Sequence, residues 1–312
     1  MANFVHVPVL ETETIQGLNV KAGGIYFDGT LGGAGHSYQI LKNSSPNGKL
    51  VATDLDVYAI ERAKDRLKEF NGRFTVVKDN FKNFKNIKEQ LEISGFDGIL
   101  LDLGVSSFQL DDKDRGFSYL ADDKELDMRM DRSQSLSAKQ VVNEYSLTEL
   151  KNILADYGEE KFAFQIAKNI VEKRQFSPIN TVGDLNKIIF DTIPKKFQVN
   201  GHPAKKTFQA IRIEVNGELN RLKEAIIDMV HGLNVGGRIA IITFHSLEDR
   251  IVKQVFKDLE TACTCPKSFP VCVCGKKKEI EIITKHPIVA SLKEMEENSR
   301  SKSAKLRIAQ KI

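Results

Sequence analysis

The stretch Ile25-Tyr-Phe-Asp-Gly-Thr-Leu-Gly-Gly-Ala-Gly-His-Ser37 constrains this chain more than any other. A short apolar strand breaks into glycines and re-forms as a helix, with apolar spacing through Tyr38, Ile40 and Leu41. Doubly wound α/β sheets hold nucleotide-like ligands in this way. The glycines let backbone N–H groups approach the ligand, and the helix N-terminus offers partial positive charge. Gly32-Gly33-Ala34-Gly35 departs from the strict GxGxxG pattern, so the loop alone leaves a tight turn without ligand open.

Further strands raise the case for a ligand. Lys49 to Asp54 reads as a second strand ending on an acid, where such folds place a carboxylate for ribose hydroxyls. Asp56 suits the N-cap of the helix that follows, which leaves Asp54 free for ligand. A third strand, Phe74 to Lys78, leads into Asp79-Asn80-Phe81, and Phe81 has a ring able to lie beside a flat heterocycle. A fourth, Phe96 to Asp102, is an apolar run of the buried parallel kind. Asp102 stands at its exit, where a carboxylate has little packing reason to be, since burying an unpaired charge costs several kcal/mol.

From Leu110 the character changes. Ser137 with Gln140 and Ser146 with Glu149 have capping-box spacing, and apolar periodicity is helical through Leu150, Ile153, Phe162, Ile166, Leu185 and Ile189. No strand pattern occurs between about 110 and 200. A long helix from Lys205 through Met229 is expected next, then a strand over Arg238–Thr243. A further helix follows, with Ser246 and Asp249 in capping-box positions. His245, at that strand's exit, suits either a ligand contact or the turn's own hydrogen bonding. Glu279–Thr284 and Ala304–Ala309 alternate as strands do and suit an antiparallel pair at the sheet edge.

The chain has 312 residues, 41% hydrophobic and 28% charged, with no apolar run approaching a membrane span. Its start lacks the pattern of a secretory signal, so a cytoplasmic location is expected. A net charge of +4 permits a nucleic-acid partner without demanding one. All four cysteines lie in Cys263-Thr-Cys265-Pro-Lys-Ser-Phe-Pro-Val-Cys272-Val-Cys274. Two Cys-x-Cys pairs suit zinc held by four thiolates, but the spacing differs from the common two-residue gap. Reduced thiols are the default in a reducing compartment, and no metal ligand is assigned.

A glycine loop, Asp54, Asp79-Asn80-Phe81 and Asp102 at neighbouring strand exits form the pattern of a site for an adenosine-containing cofactor. NAD and S-adenosylmethionine both use it. NAD binding calls for a cleaner GxGxxG and a second mononucleotide-binding half. Here a helical insert interrupts and the edge ends in an antiparallel pair, which suits a methyltransferase.

Five motifs carry a resemblance. They are Asp28–Ser37, Gly98-Ile-Leu-Leu-Asp-Leu-Gly-Val-Ser-Ser107, Leu126-Asp-Met-Arg-Met-Asp131, Thr207-Phe-Gln-Ala-Ile-Arg212 and Ile242-Thr-Phe-His-Ser-Leu-Glu-Asp-Arg-Ile251. In this order, from His6 to Ile308, they resemble the ribosomal RNA small subunit methyltransferase H family, the cytosine-N4 methyltransferases of bacterial 16S rRNA. The resemblance implies a class I SAM-dependent methyltransferase fold, Rossmann-like with a mostly parallel sheet. It places the SAM-binding domain over 1–109 and 206–312, and an inserted helical, substrate-recognition subdomain over 110–205. It implies SAM as cofactor, with contacts from Ala34, Gly35, His36, Asp54, Phe81, Asp102 and Gln109. Ala34 stands where the family more often has Gly, which is harmless if φ stays negative. The implied substrate is the exocyclic N4 of a decoding-centre cytidine, with 16S rRNA, assembled into the 30S subunit, as partner and no membrane.

Many N4-amino methyltransferases carry Asp/Asn-Pro-Pro-aromatic at the fourth strand's exit. Here the place reads Asp102-Leu-Gly-Val-Ser-Ser, and Asp102 is the candidate catalytic acceptor of the target N–H. Arg115, Arg129, Lys205, Lys206 and Arg212 are candidates to meet RNA, two or three of them in contact. A nicotinamide-dependent oxidoreductase and a non-catalytic RNA-binding assembly factor are the competing readings.

Overall fold

A computed structural model describes residues 8–105, 112–199, 201–266 and 271–312. Seven strands form one sheet: β1 (Ile25–Asp28), β2 (Lys49–Asp54), β3 (Phe74–Lys78), β4 (Phe96–Asp102), β5 (Leu233–Thr243), β6 (Ile280–Ile282) and β7 (Lys305–Lys311). Their order is β3-β2-β1-β4-β5-β7-β6. β1 to β5 run parallel, and β7 is antiparallel to both β5 and β6. This is the Rossmann-like, mostly parallel sheet that the sequence predicts, with an antiparallel pair at one edge. Strand order reverses between β1 and β4, so the crevice at the carboxyl ends of these strands is the ligand position of such a sheet.

The strands are apolar because both faces are covered. Phe27 of β1 lies level with Val51 of β2 and Ile99 of β4. Phe27, Phe84 and Phe96 pack ring to ring at 5.0, 5.6 and 5.6 Å, which fixes β1 against β4 under α4 (Phe84–Gln90). Each such pair adds about 0.5–1.5 kcal/mol beyond its buried area. β5 begins at Leu233, earlier than the expected Arg238. Leu233 pairs with Phe96, and the register then shifts to Gly98 opposite Arg238. The residues before Arg238 thus join the strand through an irregularity that a two-residue alternation does not report.

The chain divides into two compact units, Met1–Gly104 with Leu219–Ile312, and Val105–Glu218. The first holds the sheet with α1 (Glu11–Leu18), α2 (Gly35–Asn43), α3 (Val57–Arg66) and α4. The second holds α5 (Ala138–Glu144), α6 (Leu147–Asp156), α7 (Ala163–Arg174), α8 (Val182–Thr192) and α9 (Lys205–Asn216), with no strand among the described residues. Capping boxes close at Ser137–Gln140, Ser146–Glu149 and Thr181–Asp184. The helical unit reaches past the expected boundary at 205 because Phe208, Ile211 and Val215 of α9 bury into its core with Leu150, Ile166 and Leu185.

The long helix expected from Lys205 to Met229 is two helices. Gly217 at φ 54 stops α9 in the left-handed conformation. The chain restarts in the sheet unit as α10 (Leu222–Gly232), followed after β5 by α11 (Ser246–Glu260) and later by α12 (Leu292–Glu297). No helix among the described residues is long and apolar enough to cross a membrane.

Candidate active site

The glycine loop is tied to both neighbouring strands. Gly29 N–H donates to the Leu100 carbonyl (2.9 Å) and Leu31 N–H to that of Thr53 (3.0 Å). The buried Thr53 hydroxyl donates to the Gly29 carbonyl (2.9 Å), and Arg66 donates to that of Gly33 (2.8 Å). A Cβ on Gly29 would strike Leu101 and Phe81, and one on Gly35 the ring of Pro8. Ala34, the N-cap of α2, has φ 55. The expected negative φ is therefore corrected: the loop enters its helix through the left-handed region, where a β-carbon costs about 1 kcal/mol.

Three acids converge on the exits of β1, β2 and β4. Asp28 is buried, accepting from the Ser37 hydroxyl (2.6 Å) and Thr30 N–H (3.1 Å). Burial pushes its carboxyl up to about 6, with the Asp54 charge adding to the rise and the Ser37 and Thr30 hydrogen bonds opposing it. Asp54 accepts from Gly32 N–H (2.8 Å) and Asp56 N–H (2.9 Å), so it organises the glycine loop as well as facing the crevice. Burial still raises it against those two donors. Asp56 caps α3, accepting from Tyr58 N–H at 3.0 Å.

Asp102 is the most perturbed of the three. Its backbone N–H donates to the Thr30 hydroxyl oxygen (2.6 Å), which locks the strand exit to the loop. Its Oδ1 is enclosed and finds no donor among the described residues. Its Oδ2 lies 3.6 Å from His36 Nδ1. Burial, then the charges of Asp28 and Glu248, push the carboxyl up to about 8. A carboxyl with one oxygen enclosed and without a donor among the described residues, acted on by two more acids, is an environment that a bound cation relieves.

The other candidates sort by position. His36 is buried, with Nε2 at 3.1 Å from the Val9 carbonyl, so its ring braces the segment before α1 and faces Asp102. Phe81 is half-buried at the end of β3, packed beneath the loop. Gln109 lies outside the described residues. His245, not Ser246, is the N-cap of α11, and its box partner is Glu248, not Asp249. Asp249 instead takes Arg307 at 2.6 Å. The His245 side chain therefore does the turn's own bonding, accepting from Glu248 N–H at 3.4 Å. Asp28 and Glu248, whose charges act on Asp102, are not among the candidates read from the sequence. Asp28 ends an apolar strand as Asp102 does, which was signal enough.

In the helical unit three of the five cationic candidates serve the fold. Buried Arg115 donates to the carbonyls of Arg129 (2.8 Å) and Met130 (3.0 Å). Arg129 pairs with Asp127 (2.7 Å), and Arg212 clasps Glu218 through two bonds of 2.8 Å. Lys205 and Lys206 are exposed at the start of α9, and Lys206 also donates to the Glu159 carbonyl at 2.9 Å. The side chains presented to solvent are thus the two lysines.

A profile of the MraW methylase family matches residues 3–312. Curated relatives match over nearly their whole length. A protein of Clostridium botulinum strain Kyoto, named ribosomal RNA small subunit methyltransferase H, is 58% identical over 99% of each chain. One of Agathobacter rectalis, named ribosomal RNA small subunit methyltransferase H 2, is 56% identical over 99% of this chain and 98% of its own. The Brevibacillus brevis protein of the former name is 51% identical over 99% of each.

Proposed function

The chain belongs to the MraW methylase family, and from that premise we propose that it methylates the exocyclic N4 of a cytidine in the decoding centre of bacterial 16S rRNA, using S-adenosylmethionine. The observation that carries the cofactor assignment is the set of Asp28, Asp54 and Asp102 at adjoining strand exits, each with its ionisation opposed by burial. S-adenosylmethionine brings a sulfonium and an ammonium to that set. NAD brings an anionic pyrophosphate, which gains nothing from such acids and is repelled by those that are charged. Moreover, the Gly32 N–H that would greet a phosphate is already given to Asp54.

When bound, S-adenosylmethionine supplies an electrophilic methyl group on a positively charged sulfur. The roles of the chain's residues follow from their places. Asp54 accepts the ribose hydroxyls while holding the loop. The backbone at Ala34, Gly35 and His36 meets the amino-acid end, and Phe81 lies beside the adenine. An exocyclic cytosine amine is a poor nucleophile because its lone pair is delocalised into the ring. Alignment and an acceptor for its N–H therefore carry the rate. Asp102 would be that acceptor as the carboxylate, the form that a neighbouring cation favours, with its proton released to solvent.

The target base leaves its stack to present N4. Lys205 and Lys206 of the Val105–Glu218 unit meet the phosphates, and the substrate is the assembled 30S particle in the cytoplasm. The test is mass mapping of nucleosides after reaction of purified small subunits with methyl-labelled cofactor. The label is expected on one cytidine N4. A label on another base or on ribose overturns the position, and none at all favours a non-catalytic RNA-binding role.

A further inference from the structure

We propose that Cys263, Cys265, Cys272 and Cys274 form a structural zinc site on the connection between α11 and β6. The four Sγ atoms lie within 4.8 Å of one another. Cys263 is 3.4 Å from Cys272, Cys272 is 3.5 Å from Cys274, and Cys274 is 3.8 Å from Cys263. A tetrahedral Zn²⁺ with Zn–S bonds of about 2.3 Å spaces its sulfurs about 3.8 Å apart, so Cys263, Cys272 and Cys274 stand close to the separation one ion imposes, with Cys265 within reach. Disulfides would instead draw the sulfurs into two bonded pairs near 2 Å. Here Cys272 has two near neighbours, and all four thiols are free.

The surroundings fit thiolates. Backbone N–H groups point at three of the sulfurs: Cys265 N–H to Cys263 (3.4 Å), Val273 N–H to Cys265 (3.4 Å) and Thr264 N–H to Cys274 (3.5 Å). Such donors stabilise metal-bound sulfur and fix its direction. Four thiolates on Zn²⁺ leave two negative charges, and Lys276 and Lys277 follow directly on Gly275. Among its described residues the connection buries little apolar surface. Cys263, Cys272 and Cys274 are exposed, and Val271 and Val273 keep 70% and 72% of their surface. Apolar burial of that extent does not offset the entropy of fixing the chain, whereas a metal clip does.

The site is remote from the methyl-transfer crevice. α11 starts at the carboxyl end of β5 and carries the chain about 22 Å along its axis before the first cysteine. Zinc loss is therefore expected to lower thermal stability without loosening the cofactor site.

Metal analysis of the full-length protein, purified without an added metal or a histidine tag, is expected to give close to one zinc per chain. Mercurial titration should release it to a chromogenic chelator as thiols are consumed. Cobalt exchange should give the intense visible bands of a tetrahedral thiolate complex. Cys263→Ser with Cys272→Ser should cut bound zinc at least about tenfold and lower Tm by several degrees, with S-adenosylmethionine affinity held within about twofold. Zinc-free protein that takes up no cobalt, iron in place of zinc, or disulfides found by mass spectrometry would each overturn the proposal. The wild-type measurements decide it even if the double variant does not fold.

Discussion

Binding of the cofactor should expel a proton from Asp102. Burial and the charges of Asp28 and Glu248 push this carboxyl up to about 8, so about nine protein molecules in ten carry its proton at pH 7. A sulfonium alongside favours the carboxylate, and uptake at pH 7 then releases about 0.9 proton. At pH 9 the proton is already gone. Affinity should therefore rise about tenfold between pH 7 and 9, equal to about 1.4 kcal/mol. Calorimetric titration in two buffers of different ionisation heat reads the proton count.

The cofactor's own α-amino group titrates near 7.7–8.0 and must be separated. S-adenosylhomocysteine carries that amino group without the sulfonium charge, and Asp102→Asn keeps the shape of the side chain without its titration. Both should lose the part of the pH dependence that Asp102 supplies. Equal proton counts for the wild type and Asp102→Asn would refute the reasoning.

Three further outcomes follow from the same residues. Asp28 and Asp102 hold protons in the fold that the unfolded chain has released, so stability is lost as pH rises from about 4 towards 8. Urea unfolding of the ligand-free protein should show that fall, and Asp102→Asn should flatten its upper part; a rise across this window contradicts the buried-acid account. Ala34→Gly removes a β-carbon at φ 55 and should stabilise by up to about 1 kcal/mol; a loss of stability in the same unfolding assay would show the loop is not left-handed there. Lys205→Ala with Lys206→Ala should reduce the slope of log affinity against log salt for 16S rRNA by about 1.4. An unchanged slope removes both lysines from the RNA contact.

What was legible in the chain was local. The strands from Ile25, Lys49, Phe74 and Phe96, and the boxes at Ser137 and Ser146, follow from runs of apolar residues and hydroxyl-to-acid or hydroxyl-to-amide spacing. Asp54 and Asp102 stand out as candidates because a charged side chain ending an apolar strand needs a partner, and both do lie at strand exits. What stayed hidden depends on contacts far apart in sequence or on backbone angles. Apolar periodicity runs unbroken past Gly217, whose positive φ ends the helix. Propensity points to Ser246 as the cap, yet the backbone turns one residue earlier and uses His245. Arg115, Arg129 and Arg212 look like RNA-facing cations until their carbonyl and carboxylate partners, up to fifteen residues away, are seen. The spacing of the four cysteines differs from the common two-residue gap, and the closeness of their sulfurs is a long-range feature that only the fold displays.

The central proposal is that acids at the exits of β1, β2 and β4, Asp28 buried and Asp54 and Asp102 partly so, receive a cationic nucleoside. Calorimetric titration of S-adenosylmethionine against NADH at pH 8 tests it most directly. Saturable binding of one S-adenosylmethionine per chain with no heat from NADH is the predicted result; NADH binding in its place would contradict the account.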